Sequence, residues 1–213
     1  DPLASIRAYF ELPHTQRAVA QYKELLLEPV PNLSAESLLD FDGLPPYKLD
    51  KRQLARFLID FASASSALEG GTYTLLDTQA LIEYGEKSAG KPLADAFLVL
   101  NHKEAFEYLY DHLHLDAIYQ VHDLLTSDHD LPELQDTIHF LPKHQRGIVR
   151  AHGDIDIRLS TYMPPFRPGT DYLQKMLERI LDTAKRISNP VQAAFYLLTR
   201  IPYLQPFQDG NKR

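Results

Sequence analysis

The residues of this sequence best suited to chemistry lie together at positions 205–213, in the order QPFQDGNKR. Gly210 lets the backbone approach a ligand closely, and Asn211 tolerates the tight conformations in which successive N–H groups converge on an anion. Asp209 offers carboxylate oxygens to the Mg²⁺ ion that accompanies nucleotide phosphates, and two cations end the stretch. The stretch has the residue types of a polyphosphate-binding loop, but composition alone favours the alternative, an ordinary polar turn before a surface helix.

A second candidate lies at the end of a predicted helix, in residues 65–70 with the sequence SSALEG. Ser65 and Glu69 are four positions apart, so a helix places them on one face. Gly70 and the glycine after it form a strong stop signal for that helix. By itself, the pattern is typical of a helix end with a solvated glutamate.

Both stretches resemble motifs of the Fic (Fic/Doc) family. The family's signature loop is written H-P-F-x-D-G-N-G/K-R-x-x-R, and residues 206–213 match it at every position, with the lysine variant at Lys212. Gln205 stands where the family has its histidine, and the second signature arginine would lie past Arg213. Residues 65–70 resemble the family's inhibitory motif, S/T-x-x-x-E-G/N, whose glutamate reaches into the nucleotide site and pairs with the second signature arginine.

The resemblance implies that the ligands are ATP and Mg²⁺ and that AMP is transferred to a Ser, Thr or Tyr hydroxyl of a protein target. It also assigns a role to each residue of the loop: Asp209 binds Mg²⁺, Gly210 and Asn211 cradle the α- and β-phosphates, Lys212 adds charge, Arg213 contacts phosphate, and Phe207 turns toward the core. Gln205 takes the place of the general base, which a carboxamide cannot replace because it only donates or accepts hydrogen bonds.

Three functions follow from these residues. The first is a Fic adenylyltransferase that Glu69 inhibits and that Gln205 impairs, whether by nature or by a deliberate change. The second is a non-catalytic regulatory module in which nucleotide binding sets a conformation. The third is removal of AMP from a modified protein, with Glu69 aligning a water molecule. The loop variant with lysine, here Lys212, also resembles the loop of the Doc branch, which phosphorylates its target. The orientation of the nucleotide donor therefore stays open.

The elements that must position these residues are mostly helical, because apolar residues recur at helical spacing. The predicted helices span about 16–27, 50–69, 78–85, 92–112, 116–127, 170–187 and 189–201. Asp50 is expected to cap the second of these, and Asn189 followed by Pro190 to begin the last. Pro202 is expected to break the last helix. The buried faces of these two helices are predicted to hold Leu54, Phe57, Leu58, Phe61, Ser65 and Leu68, and Ala194, Leu197, Leu198 and Ile201.

In residues 147–163 the spacing of the apolar residues changes from the helical pattern to alternation. Ile155, Ile157 and Leu159 alternate with charged residues, which predicts a β-hairpin. In the Fic family a hairpin flap covers the nucleotide and binds the target by edge-strand pairing, so the resemblance implies a protein target along 147–163. The predicted fold class is therefore all-α, mainly helical, with one small β-hairpin flap.

Two domains are expected. Residues 1–90 form an N-terminal helical region that carries the inhibitory motif, and residues 91–213 form the Fic core, truncated at the signature loop. Further helices are expected after Arg213.

Composition limits the classes of protein. The 213 residues are 44% hydrophobic and 24% charged, which is typical of a globular protein. A formal charge of −7 argues against direct binding of nucleic acid or of an anionic membrane. The sequence has no cysteine, which excludes disulfides and cysteine-ligated zinc and fits a cytoplasmic location. No apolar run is long enough to span a bilayer. A homo-oligomer is left open.

The histidines do not have the spacing of a metal site. The motif HExxH is absent, and no compact set of His and carboxylate residues falls on one helix face. We therefore expect the histidines to be solvated or to lie at the edge of the core, namely His102, His112, His114, His122, His129, His139, His144 and His152.

Overall fold

The computed structural model describes residues 4–29, 50–135, 137–155, 157 and 161–213 of the chain. The α-helices in these ranges are α1 (Ala4–Glu11), α2 (Lys51–Leu68), α3 (Leu75–Tyr84), α4 (Leu93–Asp111), α5 (Ile118–Leu125), α6 (Pro132–Gln135), α7 (Tyr172–Arg186) and α8 (Pro190–Leu204). The prediction of a mainly helical protein is confirmed. None of these helices combines the length with the apolar composition that crossing a bilayer requires.

The β-structure in the described ranges consists of isolated bridges, which join Gln21 to Met163 and Ser127 to Leu141. The described part of the predicted flap at 147–163 therefore contains no paired strands. Residues 156 and 158–160 lie outside the described residues. The hairpin stays a prediction for that part of the chain.

The chain forms two compact units, and each combines segments from distant parts of the sequence. One unit comprises Asp1–Asn32 and Ala151–Pro206, and the other comprises Leu33–Arg150 and Phe207–Arg213. These units do not follow the division at residue 90, which stays a prediction about domain organisation.

Helix α4 forms the centre of the second unit, where it packs against α2, α3, α5 and α6. Because neighbours surround it, α4 buries polar as well as apolar side chains, including Asn101 and His102. Two apolar clusters form around this helix: Ala62, Tyr73, Leu81, Ala96 and Val99 in one, and Leu98, Leu134 and Phe140 in the other.

The predicted start and stop signals of α2 are confirmed. The side chain of Asp50 accepts hydrogen bonds from the backbone of the first turn, and the side chain of Gln53 binds the Asp50 N–H in return. Gly70 has φ +92° just past the helix end. The predicted buried face is wrong by about one residue, since Leu68 is 88% exposed. Small side chains allow close contact with α4, and the residues that are buried are Leu58, Ile59, Ala62 and Ser66.

Helices α7 and α8 pack against each other in the first unit. Asn189 caps α8 and Pro190 begins it, as predicted. Pro202 does not break α8, which continues to Leu204. Because Pro202 lies in the last turn, its missing N–H and its ring disturb the end of the helix and not its interior. The predicted face is also wrong here: Leu198 is 68% exposed, whereas Tyr196 and Leu204 are buried.

The helix predicted at 16–27 is wrong. The chain forms 3-10 turns at His14–Gln16 and Glu24–Leu27 instead, after the α-helix at Ala4–Glu11 that sequence reasoning missed. A tertiary contact determines the second turn: Leu27 is fully buried, and its carbonyl accepts a hydrogen bond of 2.7 Å from the Tyr196 hydroxyl.

Candidate functional site

The segment Phe207–Arg213 forms a closed loop that its own side chains hold together. The Phe207 N–H donates to Oδ1 of Asn211, and Nδ2 of Asn211 donates to the Phe207 carbonyl, each at 2.9 Å. Asn211 was predicted to help cradle phosphates, and the structure gives its amide this internal role. Gly210 has φ +74°, a conformation that a residue with a Cβ adopts at a cost.

Phe207 attaches the loop to helix α5. Its side chain is buried, as the sequence predicts, and its ring stacks on His122 with the centroids 4.1 Å apart and 14° between the planes. Tyr119 contacts the same ring edge-to-face at 6.2 Å. One face of α5 therefore supports the loop.

Arg213 is the most deeply buried charge of the loop, with a side chain only 2% exposed. Its Nη1 donates to the carbonyl of His139 at 2.7 Å, and its Nη2 pairs with the Asp209 carboxylate. Its Nε faces Glu69 at 3.5 Å. The guanidinium was expected to contact phosphate, but here it is surrounded by carbonyl and carboxylate oxygens of the protein.

Glu69 lies at the C-terminal cap of α2, and its side chain is 28% exposed. Its carboxylate is 3.5 Å from Nε of Arg213, so the structure brings together the two motifs that sequence reasoning singled out. At this distance the contact is an ion pair without a hydrogen bond. The resemblance implied a pairing with the second signature arginine, whereas the partner observed here is the first, Arg213. Ser65 lies one turn before Glu69 and is half-buried, while Gly70 ends the helix just after it.

Asp209 is the carboxylate of the loop that reaches solvent, with 46% of its side chain exposed. Within the described ranges, no three His, Cys, Asp or Glu side chains converge as a metal-binding group. Mg²⁺ needs no such group beside a nucleotide, because one or two carboxylates and the phosphates are enough to hold it. An exposed single carboxylate therefore fits the predicted role of Asp209. Lys212 is exposed.

Gln205 ends α8 in the first unit. It has φ +53°, in the left-handed region, and its side chain is buried. Its Nε2 donates to the Pro202 carbonyl at 2.7 Å. The amide at the position of the family's histidine thus binds the last turn of its own helix.

The prediction that the histidines are solvated or lie at the edge of the core is wrong for His102 and His122, which are buried. Burial lowers the pKa of each from 6.5 to about 4, so both are neutral at physiological pH. Burial also lowers the pKa of His139, and the charge of Arg213 adds to that effect. For His122 the missed signal is its spacing with Tyr119 and Thr126, at i, i+3 and i+7 on the loop-facing side of α5.

The chain is similar to known proteins in sequence and in fold. No family model matches the chain. A curated relative, the protein adenylyltransferase Fic of Nematostella vectensis, is 26% identical over 214 residues, which cover 95% of this chain and 46% of the relative. The chain thus spans less than half of that relative's length.

Two solved structures share the fold. One is Fic-1 (residues 134–508) from C. elegans, with a TM-score of 0.57, 21% identity, and coverage of 82% of this chain and 49% of that one. The other is a Fic family protein from Desulfovibrio desulfuricans G20, with a TM-score of 0.58, 24% identity, and coverage of 78% and 47%.

Fold and loop together define a helical protein built like the Fic proteins, with a closed Asp-Gly-Asn loop beside a buried arginine. The chain is also similar in sequence to the curated relative, so it resembles Fic-family proteins in both sequence and fold.

Proposed function

We propose that this chain contributes the nucleotide site of a Fic-type protein adenylyltransferase and that Glu69 holds the site in an inhibited form. The observation that carries the proposal is the approach of Glu69 to within 3.5 Å of Arg213, whose side chain is 2% exposed. A carboxylate at an anion site competes with phosphate for the same cation. The proposed ligands are ATP and Mg²⁺, and the proposed partner is a protein target along 147–163.

In the proposed reaction, a target hydroxyl attacks the α-phosphorus of ATP, the bond to the β-phosphate breaks, and pyrophosphate leaves. Mg²⁺ at Asp209 would neutralise phosphate charge. The hydroxyl proton needs an acceptor, and Gln205 cannot accept it as a base. Because general-base help contributes roughly 10²–10⁴-fold in rate, the chain with Gln205 should retain only residual transfer.

A second candidate function is a non-catalytic nucleotide-binding module. One observation favours it: the Gln205 amide donates a hydrogen bond of 2.7 Å to the Pro202 carbonyl. This side chain therefore binds the end of its own helix. In that case ATP would bind without turnover, and Glu69 would set the conformation of the site.

Label from α-³²P-ATP tests the proposal. The chain with Gln205→His should transfer label to protein, and Gln205→His with Glu69→Gly should transfer more. Glu104→Gln is the matched control, since Glu104 is an exposed glutamate on α4 and its replacement should leave labelling unchanged.

The alternatives give different results in the same assay. If no variant labels protein although ATP raises the melting temperature, the non-catalytic module is correct. Release of AMP from an adenylylated target, lost in Glu69→Gln, would indicate AMP removal instead. Transfer of label only from γ-³²P-ATP would indicate the Doc-like donor orientation that Lys212 leaves open. The cytoplasmic location and a homo-oligomer stay predictions.

A further inference from the structure

His122 lies on helix α5 and contacts the signature loop, Phe207–Arg213, through Asp209 and Phe207. The side chain is 3% exposed, and its two ring nitrogens bind the backbone of two different segments. Nδ1 accepts a hydrogen bond of 2.9 Å from the Gly147 N–H, and Nε2 lies 3.0 Å from the Asp209 carbonyl oxygen. One imidazole thus joins the signature loop to the first residue of the predicted flap.

These contacts fix the tautomer of His122. A backbone N–H can only donate, so Nδ1 must carry the lone pair that accepts from Gly147. A carbonyl oxygen can only accept, so Nε2 must carry a proton and donate the hydrogen bond to the Asp209 carbonyl. The neutral ring satisfies both contacts, whereas a ring protonated on both nitrogens would break the one to Gly147.

Binding of the Asp209 carbonyl sets the direction of the next peptide group. In a planar trans peptide the C=O and the following N–H point in opposite directions. Because the Asp209 carbonyl faces His122, the Gly210 N–H points away from α5. The peptide lies close to α5: a Cβ on Gly210 would be 3.1 Å from Cγ2 of Thr126 and 3.4 Å from Cδ2 of His122, so a larger residue would push the loop away from this helix.

We propose that His122 is a positioning residue of the nucleotide site: it orients the Asp209–Gly210 peptide so that the Asp209 carboxylate and the Gly210 N–H face the ligand, and it couples this peptide to Gly147. The inference rests on the proposed function, because the ligand that the peptide would meet is a nucleotide phosphate. His122 itself contacts backbone and Phe207 and takes no part in the chemistry.

Three substitutions separate the ring's contacts. His122→Phe keeps the stacking on Phe207 and loses both hydrogen bonds. His122→Gln reaches the Asp209 carbonyl with an amide N–H and loses the acceptor for Gly147. His122→Asn offers an acceptor near Gly147 and is too short for Asp209. Leu81→Ala is the control for lost stability alone, since Leu81 is buried in the apolar cluster that joins α3 to α4.

Isothermal titration of Mg·ATP gives the first readout. We expect binding to weaken roughly tenfold in the Phe and Asn variants, which lose the Asp209 contact, and less than threefold in Gln and in Leu81→Ala. Equal losses in the Gln and Phe variants would overturn the inference, because the Asp209 contact that only the Gln variant keeps would then have no effect on binding.

Two measurements on the free chain test the positioning role without ligand. Nitrogen-15 NMR of the imidazole should show the proton on Nε2, and exchange of the Gly147 amide should accelerate in the Phe and Gln variants but not in Asn. If the parent chain binds no Mg·ATP while both signatures are present, the proposed function fails and the loop geometry stands. The opposite tautomer, or unchanged Gly147 exchange in the Phe variant, refutes the positioning role itself.

Discussion

The ion pair between Glu69 and Arg213 should contribute more to stability than its length suggests. At 3.5 Å and an effective dielectric constant of about 20, the attraction of two unit charges is about 5 kcal/mol. Desolvation opposes it, and Asp209 still pairs with the cation when Glu69 is neutralised. We therefore expect a net coupling energy of about 1–2 kcal/mol.

A double-mutant cycle measures this coupling. Urea unfolding at pH 7 gives the free energy of unfolding of the parent, Glu69→Gln, Arg213→Gln and the double variant. The matched control is the cycle of Arg56 and Asp60 on α2, which lie closer together at 3.1 Å but are exposed. That pair should contribute about 0.3–0.5 kcal/mol and lose most of it in 1 M salt.

The comparison is decisive because distance and burial make opposite predictions. If distance controls the coupling, the Arg56–Asp60 pair is the stronger of the two. If burial controls it, the Glu69–Arg213 pair is stronger and keeps its coupling in salt. A coupling energy for Glu69 and Arg213 no larger than that of the exposed pair would contradict our interpretation of the site.

Three further predictions follow from single residues. Burial lowers the pKa of His102 from 6.5 to about 4, so between these pH values the unfolded chain takes up a proton that the folded chain does not, and His102 should remove up to about 3 kcal/mol of stability as the pH drops through this window. Because burial lowers the pKa of His122 to the same value, His102→Met should reduce the fall in urea titrations without abolishing it. Asp50→Ala removes the capping box of α2 and should cost about 1 kcal/mol, whereas Asp50→Asn should cost less than half of that in the same assay. Gly210→Ala should destabilise the chain by at least about 1 kcal/mol more than Gly90→Ala, since both glycines have positive φ but only Gly210 meets a neighbour, Cγ2 of Thr126 at 3.1 Å; equal effects in thermal unfolding would contradict this.

The features that the sequence predicted correctly are local ones. The Asp50–Gln53 capping box depends on residues three apart, and Asn189 followed by Pro190 begins α8 by backbone rules alone. Phe207 turns inward because an apolar side chain in a polar loop has one favourable environment. Such signals act within one or two turns and need no partner from a distant part of the chain.

The errors concern side chains whose environment comes from distant parts of the chain. The buried face of α2 is rotated because Ala62 packs against α4, which periodicity within α2 does not reveal. His122 was expected to be solvated or at the edge of the core because its spacing fits no metal site, yet it is buried where two backbone segments meet. The partners of Arg213 also come from separate segments, including the His139 carbonyl. A sequence motif therefore identifies candidate functional residues but does not predict which atoms they contact.

The charges around Arg213 lead to a last prediction, which separates binding from catalysis. The buried guanidinium faces two carboxylates, Glu69 and Asp209, so its charge is already more than neutralised before any phosphate arrives. A nucleotide must therefore bind against the Glu69 charge or displace it. Glu69→Gln should strengthen Mg·ATP binding at least about tenfold with Gln205 unchanged, because each 1.4 kcal/mol of relieved competition is a factor of ten. Calorimetry measures this directly, with Glu104→Gln as the control. Equal affinity in the parent and in Glu69→Gln would show that the carboxylate does not compete with the nucleotide.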